Sequence, residues 1–277
     1  MKPEKSFYPK FNDSIWLMIR LAVVTFMLSI PVAAVYLILQ AIFKFDEQAY
    51  RSILILINYA LPFIIVIQLG IKRIRLWSMK EFHLSFSRMP LGSFLLIILT
   101  GLALMVVLNP IESLIPMPEI FIESYLSMMQ MDAVSFLTVV IAAPLLEEIL
   151  FRGIILEGFL HNYSPRKAIL LSALIFALVH LNPLQMIGAF FIGIFLGWVY
   201  WRTRTLLPVI GLHFLNNLIS FLYLMQAEED VFSEGYPMEN PAMYWIIIGL
   251  AALTGGLGIR ILNQRMKKIP AEVNEAE

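Results

Sequence analysis

Apolar residues in this chain come in long runs separated by short polar links. A helix that crosses a bilayer needs about 20 mostly apolar residues, and eight runs meet or approach that length. They cover residues 15–39, 53–71, 91–108, 133–151, 168–181, 184–201, 206–225 and 242–262. The fifth is the shortest and stops at Asn182-Pro183. The pattern predicts an all-α, polytopic transmembrane helix bundle of about eight spanning helices. With no tandem repeat, no low-complexity tract and short links, residues 1–277 read as a single integral-membrane domain. The first apolar run is long and has no small-residue cleavage site behind it, so a removable signal peptide is not expected.

Composition sharpens this picture. Hydrophobic residues make up 60% of the chain and charged residues 14%, against roughly 45–50% and about 25% in soluble domains. A soluble globule could not bury that much apolar surface, so a cytosolic enzyme, a secreted disulfide scaffold and a disordered chain are excluded. The absence of cysteine removes disulfides, thiolate nucleophiles and Cys-ligated metals.

The charges total zero but are sorted. If the N-terminus is cytoplasmic and eight helices alternate, 18 of the 20 basic residues fall on the inside, and only Lys44 and Arg51 lie outside. The outer links collect acids: Glu112, Glu119, Glu123 and Asp132 in one, Glu228, Glu229, Asp230, Glu234 and Glu239 in another. This positive-inside bias predicts cytoplasmic N- and C-termini; the membrane expected to hold the chain is the plasma membrane. Residues 77–89 and 121–131 mix aromatic and apolar side chains with few charges, as interfacial segments or as anchored loops do. Trp198, Tyr200 and Trp201 stand where an aromatic belt is expected at the inner end of the sixth run.

Ionisable side chains inside apolar runs cost about 2.5–3.5 kcal/mol each on insertion scales, so each is a candidate for function. They cluster in the second half of the chain. The fourth run contains Glu147 and Glu148, with Arg152 beyond them and Pro144 before them. Adjacent residues on a helix point about 100° apart, so the two carboxylates cannot share one partner equally. The i, i+4 spacing makes Glu148–Arg152 the natural ion pair and turns Glu147 to another face. The fifth run ends in His180, and the seventh carries His213 and Asn217 at i, i+4. Alone, a buried histidine is more often a core group than a catalyst. Together, a Glu and two His can take a proton from water, and His and Asn can donate to a developing oxyanion.

Depth arithmetic gives partial support. Glu147 lies about 16 residues before the turn at Tyr163–Ser164 and His180 about 17 after it, at about 1.5 Å per residue, so an antiparallel hairpin sets them at similar depth. His213 sits about 10 Å away in depth if the sixth helix is straight. His83 and His161 read as solvated, Asn182-Pro183 as a helix end, and Gly193 with Gly197 as a small-residue packing pair.

Glu147-Glu148-xxx-Arg152, Phe176-xxx-His180 and His213-xxx-Asn217, in that order within residues 143–220 of a polytopic chain, resemble the CAAX-protease and bacteriocin-processing (CPBP, Abi) family of intramembrane proteases, which includes the type II CAAX prenyl endopeptidases. The resemblance implies an intramembrane endopeptidase whose site opens to the cytoplasm. It makes Glu147 the water-activating residue together with His180, gives the oxyanion to His213 and Asn217, and makes Glu148 and Arg152 supporting residues. It implies a glutamic-type, metal-free water attack. The expected cofactor is therefore none; zinc is the alternative, with Glu147, His180 and His213 as its ligands. Expected partners are membrane lipid and a hydrophobic or lipidated, CAAX-like peptide, with no nucleic acid, and the sequence sets no oligomeric state. The competing reading is a non-catalytic immunity or scaffolding protein that binds peptide in the same cavity. A transporter is a third reading, but no pair of corresponding broken helices supports it.

Overall fold

Every regular element in the described residues of the computed structural model is a helix. Those residues are 7–43, 47–78, 82–115, 132–226 and 240–266. The helices are α1 (Phe11–Phe43), α2 (Glu47–Ser78), α3 (Leu91–Glu112), α4 (Ala133–Asn162), α5 (Pro165–Leu178), α6 (Pro183–Thr203), α7 (Leu207–Gln226) and α8 (Pro241–Arg265). Each lies on one of the eight apolar runs. Six of them, α1, α2, α3, α4, α6 and α8, are long and apolar enough to cross a membrane. Helix α5 has 14 residues, about 21 Å at 1.5 Å per residue, less than the roughly 30 Å hydrocarbon core. It is cut short because Leu181 adopts a left-handed backbone, φ 55°, just before Asn182-Pro183. The apolar part of α7 is also short, Leu207–Tyr223. Bulky apolar side chains point outward on the long helices, such as Trp16, Phe26 and Leu37 on α1 and Trp245, Leu250 and Leu253 on α8. Such surface is stable against lipid and unfavourable against water.

The chain divides into two units. The first contains residues up to His83, Pro118–Ser164 and Phe214–Ala227; the second contains Leu84–Met117, Pro165–His213 and the C-terminal part.

In the first unit, α2 and α4 run side by side in the same direction. Ser52 donates to Asp132 at one end, Tyr59 meets Glu147 midway, and Gly70 faces Ile154 at the other end. Helix α4 uses more residues than α2 over this run, 132 to 154 against 52 to 70. Helix α4 contains two π-helical stretches, Leu137–Ala142 and Ile149–Leu156. Asp132 caps α4 by accepting from the Ser135 amide at 2.7 Å. Partial burial acts upward on its carboxyl, but hydrogen bonds from Ser52 and Ser135 outweigh it and hold the group below the usual range. It is thus a helix cap rather than a solvated loop acid. The N-terminal segment straps the far end of α4. Phe7 stacks on His161 at 4.0 Å, Asn162 donates to the Phe7 carbonyl at 2.7 Å, and Gly158 leaves room for Pro9. His161, expected to be solvated, is part-buried under this strap; His83 is exposed.

In the second unit, α3 and α8 are antiparallel. Thr100 faces Gly258, Leu104 faces Gly255, and the Tyr244 hydroxyl donates to Asn109 Oδ1 at 3.0 Å. Helices α5 and α6 form a hairpin in which Gly193 lies against Ala173, so the small residue does allow close packing. Residues 82–90 are irregular rather than helical. Their Ser85 carbonyl accepts from the Leu206 amide at 2.9 Å, and their Ser87 carbonyl accepts from Thr205 Oγ1 at 2.9 Å, which fixes the turn before α7. Residues 121–131 and the acidic stretch 228–239 lie outside the described residues.

A β-carbon at Gly258 would lie 2.1 Å from Thr100 Oγ1. Gly258→Leu should destabilise the α3–α8 contact by about 1–3 kcal/mol, the usual range for overpacking. Thermal unfolding in detergent checks this, with Gly256→Leu as the control because nothing lies within 4 Å of that position.

Candidate active site

The candidate residues lie on α4, just beyond the C-terminal end of α5, and on α7. On α4, Glu147 and Glu148 occupy a single α-helical stretch, Ala143–Glu148, between the two π-helical ones. Their side chains go to different partners. Arg152 Nη1 donates to Glu148 Oε1 at 2.7 Å, and both side chains are buried, 1% and 0% exposed. This is the i, i+4 pair expected from the spacing. Glu147 is half-buried, and its Oε1 accepts a 2.5 Å hydrogen bond from the Tyr59 hydroxyl on α2. Sequence reasoning missed Tyr59. The available signal was the Asn58-Tyr59 pair, two polar tips in the middle of an apolar run.

Asn217 lies in the same unit as Glu147. Its Nδ2 donates to the Val139 carbonyl at 2.8 Å, and its Oδ1 accepts from Asn216 at 3.2 Å. The backbone explains why Val139 offers that carbonyl. Within the π-helical stretch the Ala143 amide bonds to Thr138, five residues back. The same register would pair Val139 with residue 144, which is Pro144 and has no N–H. Asn217 supplies the missing donor. One of its two amide hydrogens is therefore engaged in joining α7 to α4, beside the edge-to-face contact of Phe136 with Phe221 at 5.5 Å.

The two histidines lie in the second unit, and Phe176 links them. Its ring meets His180 edge-on at 4.9 Å and His213 edge-on at 5.9 Å. The depth gap expected for straight helices thus does not keep the two imidazoles from touching one phenyl ring. His180 Nδ1 lies 2.7 Å from the Phe176 carbonyl. A carbonyl oxygen only accepts, so Nδ1 carries the proton, and in the neutral ring Nε2 carries the lone pair. His213 is buried, 7% exposed. Asn182 caps α6, its Oδ1 accepting from the Gln185 amide at 3.4 Å, as expected of a helix end. Among the described residues no three His, Asp or Glu side chains form a group that could hold a metal ion, and no step below is routed through one.

Residues 129–219 match the family model described as type II CAAX prenyl endopeptidase Rce1-like. Over those residues the chain is similar to that family. The matched segment encloses Glu147, Glu148, Arg152, His180, His213 and Asn217. Comparison with curated proteins and with solved structures finds no match. The family so described is one of endopeptidases, and the six long apolar helices mark the chain as an integral membrane protein.

If Asn217 joins α7 to α4, Asn217→Ala should cost stability. Hydrogen bonds between membrane helices contribute about 0.6 kcal/mol on average and up to about 1.7. Unfolding in mixed detergent should register a loss in that range, whereas a residue serving only a reacting oxyanion would leave the unfolding curve in place.

Proposed function

We propose that the protein is an intramembrane endopeptidase that hydrolyses a peptide bond of a membrane-associated, hydrophobic or lipidated, CAAX-like substrate. The observation that carries this reading is the division of labour between the two adjacent carboxylates. Glu148 is neutralised by Arg152, while Glu147 meets a neutral phenol and keeps the chemistry of a base. The Rce1-like match over 129–219 supports the same reading.

In the proposed reaction Glu147 acts together with His180 to take a proton from water. The oxygen attacks the scissile carbonyl carbon, and the charge that develops on the carbonyl oxygen is met by His213 and by the second amide hydrogen of Asn217. The C–N bond then breaks, and the proton taken from water passes to the departing amine. Glu148 and Arg152 hold the helix that carries the base. The reading is of a glutamic-type enzyme without a metal. It includes eight alternating helices and cytoplasmic termini, which the charge sorting supports, together with a plasma-membrane location and, from the family resemblance, a site open to the cytoplasm. The alternative, a non-catalytic peptide-binding immunity or scaffolding protein, draws on one observation: part of the Asn217 amide is engaged by Val139.

Removal of the base or its partner should lower turnover by about 10²–10⁴-fold, the usual contribution of general acid–base groups. Glu147→Ala and His180→Ala, each reconstituted in proteoliposomes, should lose cleavage of a membrane-anchored peptide while keeping wild-type unfolding curves. Cleavage retained by both variants contradicts the proposal, whereas a cellular phenotype that survives Glu147→Gln favours the binding reading. Chelator should leave wild-type activity intact, and elemental analysis of the purified protein should find no equimolar zinc. Zinc lost in step with activity would make the enzyme a metalloprotease instead.

A further inference from the structure

The hydroxyl of Tyr59 on α2 donates to Glu147 Oε1, in the paired-carboxylate stretch of α4, at 2.5 Å. We infer that Tyr59 is a positioning residue for the proteolytic step: it fixes which way the Glu147 carboxylate faces. The inference rests on the reading of Glu147 as the base.

Three features support a positioning role. First, the phenol is itself held. Its ring packs on Phe63 at 5.0 Å with the planes 30° apart, and Phe63 is buried, 8% exposed. A donor on a clamped ring sets a direction, whereas one on a loose side chain follows its acceptor. Second, the backbone below it is shaped. Pro62 lies inside α2, and its ring nitrogen cannot donate to the carbonyl of Asn58, which loosens the helix at the turn that presents Tyr59. Third, Tyr59 is paired with only one of the two adjacent carboxylates. Glu148 is already oriented by Arg152 from the same helix at 2.7 Å. A glutamate side chain has three rotatable bonds and so several directions open to it. A single bond to one oxygen restricts that search and leaves the orientation of the other oxygen defined.

Positioning affects turnover more than substrate affinity, because a misplaced base weakens proton transfer without removing a substrate contact. Tyr59→Phe deletes the donor and retains the ring against Phe63. With wild-type protein and a fluorogenic membrane-anchored peptide in proteoliposomes, Tyr59→Phe should lower kcat by about 10- to 100-fold, the loss expected for a hydrogen bond to a charged group. KM should stay within about twofold, and the variant should remain folded under assay conditions, with an unfolding shift no larger than one lost inter-helix hydrogen bond produces. Tyr59→Leu, which also removes the packing on Phe63, should lower kcat further and destabilise the protein. Replacing Tyr59 by 3-fluorotyrosine should preserve kcat and give a fluorine resonance that shifts on Glu147→Gln.

Wild-type cleavage with an unimpaired Tyr59→Phe overturns the inference alone. A Tyr59→Phe variant whose loss of activity follows a fall in stability, or lies in KM, also overturns it, since that is what a packing or substrate-binding residue would do. A wild-type chain that cleaves nothing overturns the protease reading, and the inference with it.

Discussion

The Glu148–Arg152 ion pair is the constraint on which the rest of the site depends. Two full charges lie in an apolar helix, buried almost completely. Neither is tolerable there alone: breaking a buried pair by removing one partner costs about 3–5 kcal/mol, because the other charge is left uncompensated. The pair is a link within α4, and its burial turns that face of the helix into the protein. Once Glu148 is committed to Arg152, the next carboxylate along must project in another direction, since successive helical residues diverge by about 100°. Glu147 meets Tyr59 because Glu148 does not.

The same helix carries two π-helical stretches, Leu137–Ala142 and Ile149–Leu156. They flank the turn that bears the two glutamates. A π stretch changes the angular phase of every residue beyond it and frees backbone carbonyls from the regular ladder. Pro144 makes the first of these a lasting feature, because the amide that Val139 would need does not exist. Asn217 fills the gap from α7. The conformation of α4 and the placement of α7 are thus set by one amide side chain. Irregular backbone in a membrane helix is stable only where another group satisfies it.

Much of this was legible in the sequence. The eight apolar runs coincide with the eight helices, because length and hydropathy are read directly from the residues. The i, i+4 spacing of Glu148 and Arg152 specified their pairing, and Asn182-Pro183 specified a helix end. Other features depended on information the residues do not carry locally. The shortness of α5 follows from the left-handed backbone at Leu181, which periodicity does not reveal. Tyr59 lies far from any catalytic motif, and a tyrosine in an apolar run has no signature that separates a packing role from a polar one. The engagement of Asn217 by Val139 depends on a π register. The contact of both His180 and His213 with Phe176 was hidden by treating α6 as a straight rod.

The account assigns the two neighbouring carboxylates separate tasks, one to chemistry and one to structure. The most direct measurement is a side-by-side comparison of Glu147→Gln and Glu148→Gln, each assayed for single-turnover cleavage and for unfolding in detergent. Gln preserves shape and removes the charge in both. The account predicts that Glu147→Gln unfolds like the wild type but no longer cleaves, while Glu148→Gln is chiefly destabilised and keeps measurable cleavage where it remains folded. The opposite pattern, a stable but inactive Glu148→Gln beside an active Glu147→Gln, would contradict it.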